Sequence, residues 1–481
     1  MLGACVLLVA AIGLFQQCGS KTKGKPDGYA NNNNSDSCGC ESSWFPHTST
    51  PAPAEGVGSP FDTSSTTNCI FHQWSWQKFL WLTKPTPGGG VLFMDSLTLV
   101  DPYMQPVLPV EGIQLVLEDT AQAGSGGTLY SNPGFSGNDT SYLVHYSIHA
   151  SQVLLDTAAA YKQLILADTN LLNNQYTFPV GSLELKVSWI DARAIPESQR
   201  SSYFVVNAVI KKGNSYTPTR VAMLGMHIVG RVINHPEFIW ATFEHHDMGP
   251  YYDWSKTTGE ANTPITSADD KLLFKKGSTN SIAGIYWGTD APDSMYRVYT
   301  VFKYGVPRAA RDSFMTGTSQ SEPLNFNNID GLNNCVASNL QDVWKNYFYN
   351  GSIWINTDGM TPAQQALLVD TLGNNIGNAT AGSSARGSLN AFNITMETYV
   401  QTFGSSLDSI HVGNLANCFS CHASPTTSIT QNHSLHTSPL YVSHIFRNYM
   451  RQTGKSTLLD AKQNGVRDFL RVQKLMLEKD E

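Results

Sequence analysis

Two rhythms of apolar and polar residues run along this chain. Phe71-His-Gln-Trp-Ser-Trp-Gln-Lys-Phe-Leu-Trp-Leu82 spaces Phe71, Trp74, Phe79, Leu80 and Trp81 as a helix buried over most of its circumference, and Pro85 and Pro87 stop it. A second helix is expected from about Ser151 to Leu172, with Val153, Leu154, Ala158, Tyr161, Leu164 and Leu166 on its core side. Between them, Val91 to Leu117 reads as short strands and loops broken by Pro102, Pro106 and Pro109, and Ala123 to Thr140 as a Gly/Ser/Asn-rich surface segment.

The other rhythm has period two. Leu183-Glu-Leu-Lys-Val-Ser-Trp189 alternates cleanly, and Tyr203-Phe-Val-Val-Asn-Ala-Val-Ile210 follows it. Val221-Ala-Met-Leu-Gly-Met-His-Ile-Val229 is apolar on both faces and reads as a central strand. If Phe238 to His245 is extended, alternation puts Ile239, Ala241, Phe243 and His245 on one face and Phe238, Trp240, Thr242 and Glu244 on the other. Past Trp254 the chain is loop-rich to about Asn334, with a strand-like Arg297 to Lys303. Helices are expected at Leu340 to Tyr349, from Thr361-Pro362 through Leu372, at Leu389 to Phe403, at Leu440 to Met450 and at Ser456 to Glu478. The expected class is α+β: a large mixed β-rich domain over residues 69–372, a Gly/Ala/Ser/Asn linker over 373–388, and a small, mostly α-helical segment over 389–481.

Composition changes the picture in one respect. Charged residues make up 14% of the 481, below the usual quarter, while aromatic content is 11%; this points to an exported protein. Net charge is -7 with no basic run outside the extreme N-terminus, so nothing suggests nucleic acid. The apolar run Cys5 to Phe15 is too short to span a bilayer and reads as a signal-peptide core within residues 1–18. Cys18 follows it, resembling the lipid-attachment site of bacterial lipoproteins, although Gln17 stands where that pattern wants a small residue and Met1 to Ala4 carry no basic side chain. Ordinary secretion is the alternative. Residues 19–68, rich in Ser, Thr, Asn, Gly and Pro, read as a flexible tether.

The densest chemistry lies at Cys418-Phe-Ser-Cys421-His422. Cys-x-x-Cys-His is the attachment pattern of c-type haem: two thiols add to the vinyl groups and the histidine is placed to ligate iron. A thioredoxin-like pair would want a preceding strand within a βαβ pattern, and a zinc site would want two further ligands, for which only His433 and His436 are near. Candidates for the sixth position on iron are His433, His436, His444 and Met450. On one helix His444 and Met450 would lie about 120° apart, so one helix would not offer both; His444, flanked by Ile445 and Phe446, is favoured. His245 and His227 are further candidates for haem or metal contact, with burial against backbone partners as their ordinary alternative. Of the eight cysteines, Cys69 and Cys335 are candidates to tie the start of the large domain to its end, with Cys38 and Cys40 in local or pairwise disulfides.

Phe71 to Leu82, Trp240 to His245 and the Cys418 motif together resemble bacterial cytochrome c family proteins that join a large exported domain to one C-terminal Cys-x-x-Cys-His, across about residues 70–450. The resemblance implies one covalent haem c held by Cys418, Cys421 and His422, in a shortened cytochrome c-like segment that leans on the larger body. Expected function is single-electron transfer to a redox partner protein, in the periplasm or at the cell surface, with membrane attachment through a lipid on Cys18. The competing expectations are a haem-dependent oxidoreductase, of oxygenase or peroxidase type, acting on a substrate bound by the large domain, and a binding module with a sensory or structural haem.

Overall fold

Period-two stretches of valine, isoleucine and aromatics pair into one sheet, and the strands apolar on both sides lie at its centre. The computed structural model describes residues 38–63, 67–118, 129–167, 177–249, 267–276, 325–355, 385–387, 393–396, 418–422, 427–430, 433–435, 440 and 443–452. All of them fall in one unit, Ser37–Glu481. The strands are β1 (Thr98–Val100), β2 (Val116–Leu117), β3 (Val144–Ala150), β4 (Leu183–Asp191), β5 (Val205–Lys212), β6 (Ser215–Val232), β7 (His235–His245), β8 (Tyr347–Ile355) and β9 (Ala385–Gly387). They form a nine-stranded sheet ordered β1-β3-β4-β6-β7-β8-β9, with β5 on the first half of β6 and β2 on β5. Each described pairing is antiparallel except β2 with β5. A separate hairpin joins β10 (Thr427–Thr430) to β11 (His433–Leu435). The helices are α1 (Asn68–Thr83), α2 (Leu92–Ser96), α3 (Pro133–Ser136), α4 (Gln152–Ala167), α5 (Asn325–Asn339), α6 (Cys418–His422) and α7 (His444–Arg451).

Strand β7 is buried at every position, so both faces of the sheet must be covered. On one face, Ile239, Ala241 and Phe243 meet α1, whose Phe79 ring stacks on Phe243 with centroids 4.2 Å apart while Trp76 meets the same ring edge-on at 4.9 Å. Phe71 of α1 stacks on Trp354 at 3.9 Å. Burying aromatic side chains of this size is worth about 1.5–3 kcal/mol each, which outweighs the weak propensity of an aromatic-rich helix. On the other face, Val229, Phe238, Trp240, Ile353 and Ile355 are covered by Leu154 and Ala158 of α4 and by Phe419, Ile445, Phe446 and Met450 of α6 and α7.

That second cluster corrects the expected fold class. Among the described residues the protein is a β-rich, essentially antiparallel sheet with few helices, and no separate, mostly α-helical cytochrome c-like segment forms. The reason is size: α6 is a single turn and α7 two, too little to bury a core of their own. Their apolar residues complete the sheet's second face instead.

Several local expectations change with it. Leu340 to Tyr349 is no helix; a 3-10 turn, Val343–Asn346, leads into β8. Within the expected helix Leu389 to Phe403, the described residues 393–396 form a turn. There Asn393 Nδ2 donates to the Phe243 carbonyl (2.8 Å) and the Ile394 amide to Glu244 Oε2 (2.8 Å). Cys69 pairs with Cys38 rather than Cys335, which pairs with Cys40. From residue 38 the expected tether is packed against α1: Trp44 is buried, His47 Nε2 donates to the Leu80 carbonyl, and Glu55 accepts from Trp74 Nε1 and Lys78 Nζ. The signal segment, Cys18 and the elements expected at residues 297–303, 361–372 and 456–478 lie outside the described residues.

Three outcomes follow from this architecture. Peptide mapping without reduction should recover Cys38–Cys69 and Cys40–Cys335, and a Cys69–Cys335 peptide would contradict the packing of residue 38 onward. Phe79→Ala should cost about 3–5 kcal/mol in denaturant unfolding, the loss expected of a fully buried phenylalanine. Burial holds His149 down to about 3 and His245 to about 4. Below the ordinary 6.5 the unfolded chain therefore takes protons that the folded one refuses, and stability falls as pH drops from about 6.5 toward 3. His149→Gln should narrow the difference in melting temperature between pH 7 and pH 4.

Candidate functional site

One turn of helix places residues i, i+3 and i+4 on one side, so α6 sets Cys418, Cys421 and His422 together. Its Phe419 is wholly buried, and half-buried Cys418 packs against the same cluster. The second helix begins at His444. Ser443 is its N-cap, with Oγ accepting from the Phe446 amide at 3.3 Å. Phe446 meets Phe178 edge-on at 5.2 Å, and Met450 is fully buried.

These two helices bring His422 and His444 face to face: the rings stack at 3.8 Å between centroids and 19° between planes. Trp240 of β7 also contacts His422, with centroids 4.0 Å apart and planes tilted by 47°. The floor is apolar, formed by Val229, Trp240 and Ile353 of the sheet. Glu184 of β4 reaches the same place, its Oε2 accepting from Ser443 Oγ at 2.8 Å. Burial pushes Glu184 up to about 7, opposed by the Ser443 hydrogen bond and the charge of Lys186. Farther along α7, Lys162 Nζ donates to the Tyr449 carbonyl (2.9 Å) and Asn448 Nδ2 to the Pro102 carbonyl (3.2 Å).

The residue types at this site are those a c-type haem would use. The pattern supplies the attachment thiols, two imidazoles converge, and their surroundings are apolar, as a macrocycle buried from water requires. In their present contact the two rings meet face to face, so holding one iron between their nitrogens would require both to turn as well as to part. Among the described residues no group of three or more His, Cys, Asp and Glu is arranged to hold a bare metal ion. A haem asks less of the protein, because the macrocycle brings four of the iron's donors.

The remaining expected ligands are placed elsewhere or differently. His245 belongs to the alternate positions of β7, on the α1 side of the sheet, where it stacks on Tyr203 at 3.7 Å. Its Nε2 donates to the Ser202 carbonyl (3.1 Å) and its Nδ1 accepts from the Asp247 amide (3.2 Å), so both ring nitrogens are occupied. His227 is half-buried and paired in register with Thr242, two residues from Val229 on the face that carries Trp240. Met450 is packed in the apolar cluster, six residues along the helix from His444. His433 lies in β11, its side chain outside the description, as is that of Cys421; His436 lies outside the described residues altogether. A cavity of about 790 Å³ lined by Asp191, Arg193, Arg200 and Arg220 shares no residue with this cluster.

Glu184 and Ser443 were not expected here. In an alternating strand Glu184 reads as a solvent-facing position. The one available signal was Ser443, a cap residue placed directly before an apolar-faced helix. No family model, no curated protein and no solved structure matches this chain.

Proposed function

We propose that this chain is an exported c-type cytochrome that carries one covalent haem and passes single electrons to a partner protein. The observation that carries this reading is the stacking of His444 on His422 beside Trp240. Two histidines distant in sequence converge in an apolar setting, and one of them belongs to a Cys-x-x-Cys-His. Cys418 and Cys421 are the covalent anchors, His422 the proximal ligand and His444 the sixth. When bound, haem supplies reversible one-electron storage at its iron.

The protein's own residues set the terms of that storage. Trp240, Phe419 and Phe446, buried in one apolar cluster, would exclude water from a haem held there. A second imidazole in place of a thioether lowers the reduction potential, because methionine favours ferrous iron. With both His422 and His444 holding the iron, no position would remain for peroxide or dioxygen, and electron transfer would be favoured over oxygenase or peroxidase chemistry. Two disulfides, Cys38–Cys69 and Cys40–Cys335, support an oxidising compartment, the periplasm or the cell surface. Among the described residues no helix is long and apolar enough to cross a membrane; attachment through a lipid on Cys18 is part of this reading.

Producing the full chain with haem c maturation tests it. Expected are haem retained through denaturing electrophoresis, a low-spin six-coordinate spectrum, and a ferrous form indifferent to carbon monoxide. His444→Ala should give a high-spin spectrum and carbon monoxide binding, while Met450→Leu and His245→Gln leave the spectrum unchanged. Absence of covalent haem in the parent protein would overturn the reading; a spectrum insensitive to His444→Ala would remove His444 from the iron.

A further inference from the structure

The proposed ligands are mounted differently. His422 sits on a single helical turn. His444 opens a helix held at three points by the sheet and the elements around it: Ser443 by Glu184 of β4, Asn448 by the Pro102 carbonyl of the loop after β1, and the Tyr449 carbonyl by Lys162 of α4. The first grip is the one nearest the ligand. Ser443 Oγ makes two bonds, accepting from the Phe446 amide at 3.3 Å and donating to Glu184 Oε2 at 2.8 Å. It thus joins the start of α7 to the middle of the sheet, one residue before His444. The serine cap fixes where the helix begins, and the carboxyl oxygen fixes where that beginning lies on the sheet.

We propose that Glu184 is a positioning residue for His444, and that the large domain serves the haem by presenting its sixth ligand from a preset place on the sheet. This rests on the cytochrome reading above. The hydrogen bond needs only an accepting oxygen, which Glu184 offers whether ionised or neutral. A glutamine, whose carbonyl oxygen accepts equally, should therefore keep the latch, and an alanine should lose it. Loss of the latch leaves the Ser443 cap on α7 intact, so the helix persists while its anchorage at the ligand end does not. The consequence falls on the iron: His444 is no longer held at its place, and a fraction of the protein becomes five-coordinate.

Glu184→Ala, Glu184→Gln and Ser443→Ala, each in the full chain matured with haem, test this by spin state and carbon monoxide binding. Glu184→Ala and Ser443→Ala should show a high-spin fraction and a ferrous carbon monoxide adduct that the parent lacks, and Glu184→Gln should match the parent. A low-spin, carbon monoxide-inert Glu184→Ala protein would overturn the proposal, as would a Glu184→Gln protein that behaves like the alanine variant. Hydrogen exchange on protein produced without haem reads the latch independently of the iron. Amides of residues 447–451 should exchange about tenfold faster in Glu184→Ala than in the parent, the scale of one lost hydrogen bond to a carboxyl, and at the parent rate in Glu184→Gln. Equal protection in Glu184→Ala would overturn the latch. A parent chain that never takes up haem but shows the exchange difference would sink the cytochrome reading and leave Glu184 as an anchor of α7 alone.

Discussion

Everything in this molecule answers to the pairing of β6 with β7 at the centre of a wide sheet. With β4 and β8 on their outer edges, these strands have their backbone groups satisfied laterally and present side chains to two faces, both of which exclude water. A sheet in that position cannot be stable with one face bare. One cover is the aromatic ridge of α1, a helix apolar nearly all round because residues 38–63 wrap its outer side. The other cover is assembled from α4, α6 and α7, so the elements that carry the haem motif are also structural lids.

Polar residues inside this sheet tie distant chain to it. Glu237 Oε1 accepts from the Ile355 amide at 2.9 Å and lies 2.9 Å from His235 Nδ1, joining the end of β8 to the start of β7. Glu244 Oε2 takes the Ile394 amide, and Asn393 reaches the Phe243 carbonyl, so residues 393–394 are fastened to β7 where a helix was expected. Glu184 does the same for Ser443. In each case a carboxyl or amide on, or reaching, the sheet meets a group from a segment distant in sequence. Leaving such groups unpaired in the interior would cost about 1–3 kcal/mol each, so each contact selects one position for its segment.

Legibility in the sequence followed how far local pattern and environment agreed. α1, α4, β4, β5, β6 and β7 appear where the apolar pattern put them, although Val153 and Leu164, expected on the core side of α4, are exposed. β3 was passed over: in Val144-His-Tyr-Ser-Ile-His-Ala150 the polar alternates are themselves buried, so the pattern of a half-exposed strand is broken by residues that find partners inside. β8 was hidden by the helix expected over Leu340 to Tyr349, which overlaps its start. In the structure Gly351 has φ 141°, the register slips between Thr242 and Phe243, and Asn350 is left over as a bulge in a continuous strand. Ala385 to Gly387 looked like linker because a glycine there signals freedom. It is an edge strand in which a Cβ on Gly387 would lie 2.3 Å from the Ser352 carbonyl oxygen. Of the candidate site, Cys418 to His422 and His444 were legible as chemistry. Their convergence on Trp240 was not, because it depends on which face of the sheet remained uncovered.

That dependence ties the Cys418 motif to the sheet. Among the described residues the helices beside this motif, α6 and α7, are one turn and two, and neither makes a wall by itself. The missing wall is the sheet: Val229, Trp240 and Ile353 supply apolar surface broader than two short helices could enclose between them. Precision has the same source. Rigid strands flanked on both sides hold Trp240 and Glu184 in place, and these two touch the haem segment at His422 and at Ser443, directly beside each proposed ligand. The distance between these two contacts is written into the register of β4, β6 and β7, in which Glu184 pairs with Val229 and Val229 with Trp240.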